Sequence, residues 1–468
     1  MSILHPDRLF ASCPQQRAIA RELYVEVASL PIISPHGHTD PHWFADNQPF
    51  ANATELLITP DHYLLRMLYS HGIDMAALGV APMGSDASSA DPEAVWQLFG
   101  EHYYLFRGTP TRLWMDHVFG EAFGLPELLC ADNAGQFYRE INRQLATDAF
   151  RPRALFERFN IEVLATTESP LDSLQAHQRL AEDDWTGRVI TAFRPDPVLD
   201  PEYEGFADNI AQLARLSGID CGSYSGYLDA LRERRAFFRS LGATSTDHGH
   251  PTAFTADLAR GACEDLYRKA LAGTLEAQEA ELFRGQMLVE MALMSLDDGL
   301  VMQLHPGVYR NHNPWLFEHY GRDKGADIPQ STEYVQALKP LLDRVGNHPD
   351  FSLIVFTLDE TTYARELAPL AGHYPALKLG PAWWFNDSPE GMLRFRRQVT
   401  ETAGFYNTVG FNDDTRAFLS IPARHDVARR MDCRFLAELV AEHRLSLDEA
   451  HELVADLAYH LAKRAYRL

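Results

Sequence analysis

The chain has 468 residues, 46% hydrophobic and 23% charged, the balance of an ordinary globular protein able to bury a large core. Its 65 acidic residues outweigh 42 basic ones for a formal charge of -23, which argues against nucleic acid and anionic membranes as partners. Any anionic substrate therefore needs local arginines. Cys13, Cys130, Cys221, Cys263 and Cys433 are scattered without a C-x-x-C pair, which suits a reducing cytoplasm and offers no thiolate cluster. No basic and apolar leader opens the chain and no apolar run is long enough to span a bilayer, so a cytoplasmic protein with no membrane partner is expected.

In chain order, Ala18, Ala20, Leu23, Tyr24 and Val27 recur at helical spacing within Gln15 to Ser29. The apolar run Leu30-Pro31-Ile32-Ile33 then reads as a buried strand that ends in Ser34-Pro35-His36-Gly37-His38-Thr39-Asp40. Residues two apart on an extended segment face one side, so His36 and His38 aim both imidazoles at one point. A mostly helical stretch follows from about Asp61 to Asn160, rich in aromatics read as packing: Trp96, Phe99, Tyr103, Phe106, Trp114, Phe119 and Phe123 among them. Gly84 to Asp91 reads as a loop.

From residue 161 short apolar runs alternate with helical stretches, each run ending in polar or aromatic residues. The runs begin at Ile161 (ending in Thr166-Thr167-Glu168), Val189 (Arg194-Pro195-Asp196), Leu241 (Ser245 to His250), Leu300 (His305), Leu353 (Asp359-Glu360), Leu377 (Trp383-Trp384) and Thr408 (Asp413-Asp414-Thr415-Arg416). With the strand before His36 this predicts an α/β fold, a (β/α)8 TIM-type barrel with functional groups at the C-terminal strand ends. The open doubly wound sheet competes, but no Gly-rich phosphate fingerprint follows an early strand. The expected organisation is one domain, 1–468, with 61–160 a mainly helical insertion after strand 1 and added N- and C-terminal helices. A capping box, Ser446-Leu447-Asp448-Glu449, opens the last helix, whose Leu453, Leu457 and Leu461 share a face.

If the first and last strands are neighbours, Asp414 meets His36 and His38 at one metal, with positions left for water or substrate. His305 is a further ligand or a hydrogen-bond donor beside the site, and no lysine suggests a second, bridged metal. Arg194 and Arg416 end strands and suit bidentate capture of a carboxylate. Pro60 and Asp61 start a helix on which His62 and Arg66 share a face, with Tyr63 adjacent. Asp247-His248 is a strand-end acid beside a possible base, and Trp383 and Trp384 offer a wall for a sugar ring.

These motifs give the chain a specific likeness. His36-x-His38, Asp61-His62-Tyr63-Leu64-x-Arg66, Phe193-Arg194-Pro195-Asp196, Asp247-His248-Gly249, Gln303-Leu304-His305, Trp383-Trp384-Phe385-Asn386-Asp387 and Asp414-x-Arg416 together resemble the uronate isomerases of the amidohydrolase superfamily over nearly the whole chain. Ser34 stands where many members carry an acid, Gly37 replaces a common Cys, and Pro306 follows His305. The resemblance implies aldose–ketose isomerisation of a hexuronate, D-glucuronate to D-fructuronate and D-galacturonate to D-tagaturonate, through a cis-enediol. It implies one divalent metal, zinc first, on His36, His38 and Asp414. Asp414, Tyr63, Arg416 and His62 are then the catalytic group. Arg194, Arg66, Asp247, Trp383, Trp384 and His305 are the substrate contacts. The expected partner is a small anionic sugar acid, with a homo-oligomer left open. The alternatives are a metal-dependent hydrolase or decarboxylase on the same barrel, which calls for more metal ligands, and a sugar-acid-binding protein without catalysis, which predicts damaged ones.

Overall fold

The computed structural model describes residues 3–85 and 90–468. The loop expected at Gly84 to Asp91 therefore lies partly outside the described residues. Seven strands form one curled parallel sheet in the order β1 (Ile32–Ser34), β2 (Ile161–Glu168), β3 (Arg188–Phe193), β4 (Ser245–His248), β5 (Val301–Leu304), β8 (Leu353–Val355) and β9 (Leu377–Leu379). Between β5 and β8 along the chain, β6 (Val308–Tyr309) and β7 (Ile328–Pro329) form a small antiparallel ribbon of their own. No sequence pattern announces that ribbon. The run from Thr408 is reduced to a single parallel bridge, Thr408 to Leu379. Asn412, which accepts from the Asp414 amide in a tight turn, takes the chain out of extended geometry there. The two edges of the sheet nevertheless meet, because the His38 amide donates to the Thr415 carbonyl at 3.0 Å.

Most strands are short β-branched runs buried on both faces, as a covered parallel sheet requires. β4 is the exception. The apolar pattern places its run at Leu241 to Thr244, but Gly242, at φ +92°, turns the chain there, and the strand is the polar Ser245-Thr246-Asp247-His248. All four residues are buried. Much of their polarity is paired within the sheet: Gln303 donates to Ser245, Thr246 bonds His248 at 3.1 Å, and His305 lies 2.6 Å from Asp247.

Helices cover the outside. Aromatic residues between β1 and β2, including Trp96, Phe99, Phe119 and Phe137, share a core with Ile32, Ile161 and Phe418. Trp114 instead packs with the main core and faces Tyr63. The predicted capping box opens the helix Leu447–Ala455, and Leu453, Leu457 and Leu461 pack on Leu23 and Val27 of the helix Pro14–Val27. Farther along, Ala462 joins Ile33, Val163 and Ile190 in an interior cluster, and the Tyr466 hydroxyl donates to Gln303. No helix among the described residues is long and apolar enough to cross a membrane.

The helices Pro389–Ala403 and Ile421–Ala441 are joined by a buried bidentate pair, Arg396 with Asp432, at 2.7 and 3.1 Å. Asp432→Ala strands the guanidinium in the core, and the expected loss is about 3–5 kcal/mol of unfolding free energy. Urea unfolding followed by circular dichroism reads it, and a loss below about 1 kcal/mol would contradict the account.

Candidate active site at the strand ends

Every sheet strand ends on the same side, and a cavity of about 350 Å³ opens there, within the range of small-molecule sites. His36 and His38 leave β1 with rings crossed at 84°. Asp414 arrives from the other edge of the sheet, its Oδ1 3.7 Å from His36 Nε2 and 3.1 Å from His38 Nε2. Its φ of +37° is a left-handed backbone that Asp tolerates better than most residues. Two anchors hold the convergence in place. Thr167 of β2 donates to the Gly37 carbonyl, and Asp413 accepts from Ser34 on one oxygen while His425 meets the other.

Asp247 lies fully buried beneath His36 and bonds His305, whose ring stacks on His36. Arg194 Nη1 sits 3.0 Å from Asp247 Oδ2, an ion pair whose geometry makes no hydrogen bond, so Oδ2 and His305 Nε2 stay without hydrogen-bond partners among the described residues. Burial pushes the Asp247 carboxyl up, but Arg194, His305 and His36 reverse this and hold it well below the usual carboxylate range. Asp414 behaves alike: burial raises it and the imidazoles of His36 and His38 more than undo that. Burial meanwhile drives His36 down to about 4, so its ring is neutral near pH 7.

Two converging imidazoles and an ionised carboxylate, with buried unpartnered acceptors beside them, fit a divalent metal ion on His36, His38 and Asp414.

The other expected residues divide clearly. His62, Tyr63, Arg194, His305, Trp383, Trp384 and Arg416 all line the cavity. Trp383 donates its indole N–H to Asp414, and Trp384 leans on His62. Asp247 supports this lining from below and is not part of it. Arg66 does not reach the cavity; its guanidinium lies over the Phe385 ring, 4.8 Å from the centroid. Arg416 pairs with Asp323 at 2.9 Å. Arg194 is committed to Asp196 and Asp247, so it is a less available anion receptor than its position at a strand end suggests.

Several cavity residues carry no sequence signal. Arg310, Arg322 and Asp323 come from the irregular excursion around β6 and β7. Arg424, inside a long helix, donates to Asp387 at 2.8 Å and lies 3.6 Å over the Trp114 ring. Tyr63 donates to that same Asp387 oxygen at 2.9 Å, and burial, with Asp387 adding to it, keeps the phenol protonated far above its ordinary range. Glu168, at the end of β2, accepts from Thr191; burial raises it to about 7, with the threonine hydroxyls opposing.

The chain matches known proteins over nearly its whole length. The family profile described as glucuronate isomerase matches residues 12–466. A uronate isomerase of Sphingopyxis alaskensis is 66% identical over 469 aligned positions, covering 99% of each chain. Among solved structures, the glucuronate isomerase from Caulobacter crescentus superposes with a TM-score of 0.98 at 62% identity, covering 99% of this chain and 97% of that one. A uronate isomerase from Thermotoga maritima, at 24% identity and full coverage of both chains, shares the fold with a TM-score of 0.92.

Glu168 yields a pH test. The folded state binds its proton up to about pH 7 and the unfolded chain only to about 4.5, so this group's stabilisation is complete below pH 4.5 and is lost as pH rises to 7. The difference in unfolding free energy between wild type and Glu168→Gln should change by up to about 1.4 kcal/mol per pH unit in that window. A flat difference from pH 4.5 to 7 would overturn the assignment.

Proposed function

The chain belongs to the glucuronate isomerase family, and on that premise we propose that it interconverts aldose and ketose forms of hexuronates, D-glucuronate with D-fructuronate and D-galacturonate with D-tagaturonate. The observation that carries the site assignment is the meeting of His36, His38 and Asp414 at the floor of an arginine-bearing cavity. For the metal we propose zinc, whose borderline softness suits two imidazoles and one carboxylate. When bound there, the cation supplies Lewis-acid polarisation of a substrate oxygen.

The chain's own groups do the rest. The open-chain sugar acid carries a negative charge into a protein of net charge -23, so guanidinium groups must hold it. Arg322, lying over Tyr203, and Arg416, half-exposed and paired with the single carboxylate of Asp323, are the more available ones, because Arg194 is held between the buried carboxylates of Asp196 and Asp247. His62, driven down to about 3 by burial and then by Arg416, is neutral and serves as a hydrogen-bond partner for sugar hydroxyls. Trp383 and Trp384 wall the ring-opened chain. Asp414, ionised throughout the working pH range, takes the proton from C2. The C2–H electron pair moves into a C1–C2 double bond and O1 gains a proton, which makes the cis-enediol. Return of the carried proton to C1, with loss of the O2 proton, gives the ketose. Tyr63, held as a phenol with its O–H on Asp387, offers the sugar hydroxyls an acceptor oxygen and does not act as a base. Asp247 and His305 orient His36 from below.

As architecture we propose one domain, 1–468, a closed (β/α)8 barrel with 61–160 as the inserted helical region and the segment from Thr408 as its eighth strand. The Thr408 bridge to β9 and the His38–Thr415 bond support closure, and the aromatic core shared across β1, β2 and the intervening helices supports a single unit. Five unpaired cysteines support a cytoplasmic setting.

The test is an assay of metal-analysed protein with glucuronate and galacturonate, following ketose formation. In deuterated solvent the product should acquire deuterium at C1, whereas its absence would indicate direct transfer. His36→Asn should lose the metal of this site and turnover together. Arg416→Met should keep the metal while kcat/KM falls on the order of 100-fold or more. Full turnover in His36→Asn with this site empty of metal would overturn the assignment.

A further inference from the structure

The reaction leaves a second histidine pair unused: His248-Gly249-His250, at the end of β4. Its rings cross at 84° with centroids 6.1 Å apart, against 84° and 5.2 Å for His36 and His38. Each pair has its own carboxylate. Asp196, just past β3, stands to the second pair as Asp414 stands to the first, with its Oδ1 3.9 Å from His250 Nε2. The three side chains offer ligand atoms within 4.8 Å of one another.

Hydrogen bonding is what makes this cluster unusual. His248 is fully buried and His250 is 3% exposed. Yet His248 Nδ1 and both ring nitrogens of His250 have no hydrogen-bond partner among the described residues. Buried imidazole nitrogens are ordinarily satisfied, and leaving them empty is costly. His248 Nε2 faces Thr246 Oγ1 at 3.1 Å, so with the ring proton on that side Nδ1 presents its lone pair. Asp196 is held in place by Arg194 Nε on Oδ2 at 3.0 Å and by the Gly249 amide at 3.1 Å from both oxygens, which leaves acceptor capacity on Oδ1. A Cβ on the residue between the histidines, Gly249, would lie 2.3 Å from Arg194 Nη2 and 2.9 Å from Asp196 Oδ2, so a larger residue there would displace that ion pair. Asp196 and His250 also line the cavity, which provides an entry path and room for water ligands.

We propose that Asp196, His248 and His250 form a second divalent-cation site, of the nitrogen-preferring class that includes zinc and cobalt, distinct from the one on His36, His38 and Asp414. Two neutral imidazoles and one carboxylate suit that class and not magnesium or calcium, which prefer oxygen. Arg194 separates the two centres, contacting Asp196 on one side and Asp247 on the other. The other cation near His250, Arg284, is neutralised by Asp200 and Glu202. A cation here ties the end of β3 to the end of β4, where backbone pairing is thin: Phe193 with Thr246 is the one register pair between the two strands.

Chelator-stripped protein titrated with Co(II), read by visible absorption and by metal analysis after gel filtration, tests this. Wild type should take up two equivalents per chain. His250→Gln should take up one, and His36→Asn should also take up one, with a different absorption band; the double variant should take up none. Circular dichroism melting checks that each variant is folded. A single equivalent in wild type that is lost in folded His36→Asn and kept in folded His250→Gln overturns the proposal, and so does a second equivalent that persists in folded His250→Gln. A single equivalent with the opposite pattern overturns the His36 assignment instead. The His36→Asn arm reports on the first site alone, so failure of that assignment is distinguishable from failure of this one.

Discussion

Everything at this site depends on the two edges of the sheet being held together at the strand ends. One backbone hydrogen bond, from the His38 amide to the Thr415 carbonyl, marks the join, and Asp413 braces it by engaging Ser34 on one side and His425 on the other. Only then does Asp414 come within reach of the histidines. The strained left-handed backbone at Asp414 follows from the same join, since the chain must turn sharply to present its carboxylate to β1.

Such a convergence places several buried charges side by side, and the fold settles them by alternation. Asp196, Arg194, Asp247 and His305 run in sequence from the β3 end to the floor of the cavity, each contacting the next. A second chain of contacts, Tyr63 to Asp387 to Arg424, ends on the face of Trp114. The acids beside cations and imidazoles stay ionised, while burial drives the rings of His36 and His248 neutral. Glu168, lacking a cationic neighbour of that kind, rises instead. Environment, not residue type, distributes the protons.

This also explains what the sequence could disclose. The histidine pair was legible because a strand has period two, and Asp414 because parallel strands deliver their ends to one side. β4 was misplaced by its own chemistry: a strand written in Ser, Thr, Asp and His has no apolar signature, and its burial makes sense only once Gln303 and His305 are beside it. Arg310, Arg322 and Asp323 sit on a connection without periodicity, and Arg424 looks like any charged residue of a long helix until the fold turns it inward. Arg66 was drawn into the expected site by sharing a helix face with His62, yet Phe385 takes its guanidinium away from the cavity.

The distance in sequence between His36 and Asp414 has a consequence for biosynthesis. While the nascent chain is emerging from the ribosome, the β1 histidines exist long before their carboxylate does, and the early segments must wait with an unfinished edge. No fragment ending short of residue 414 can bring that carboxylate to the histidine pair, so their convergence reports that translation has passed that point.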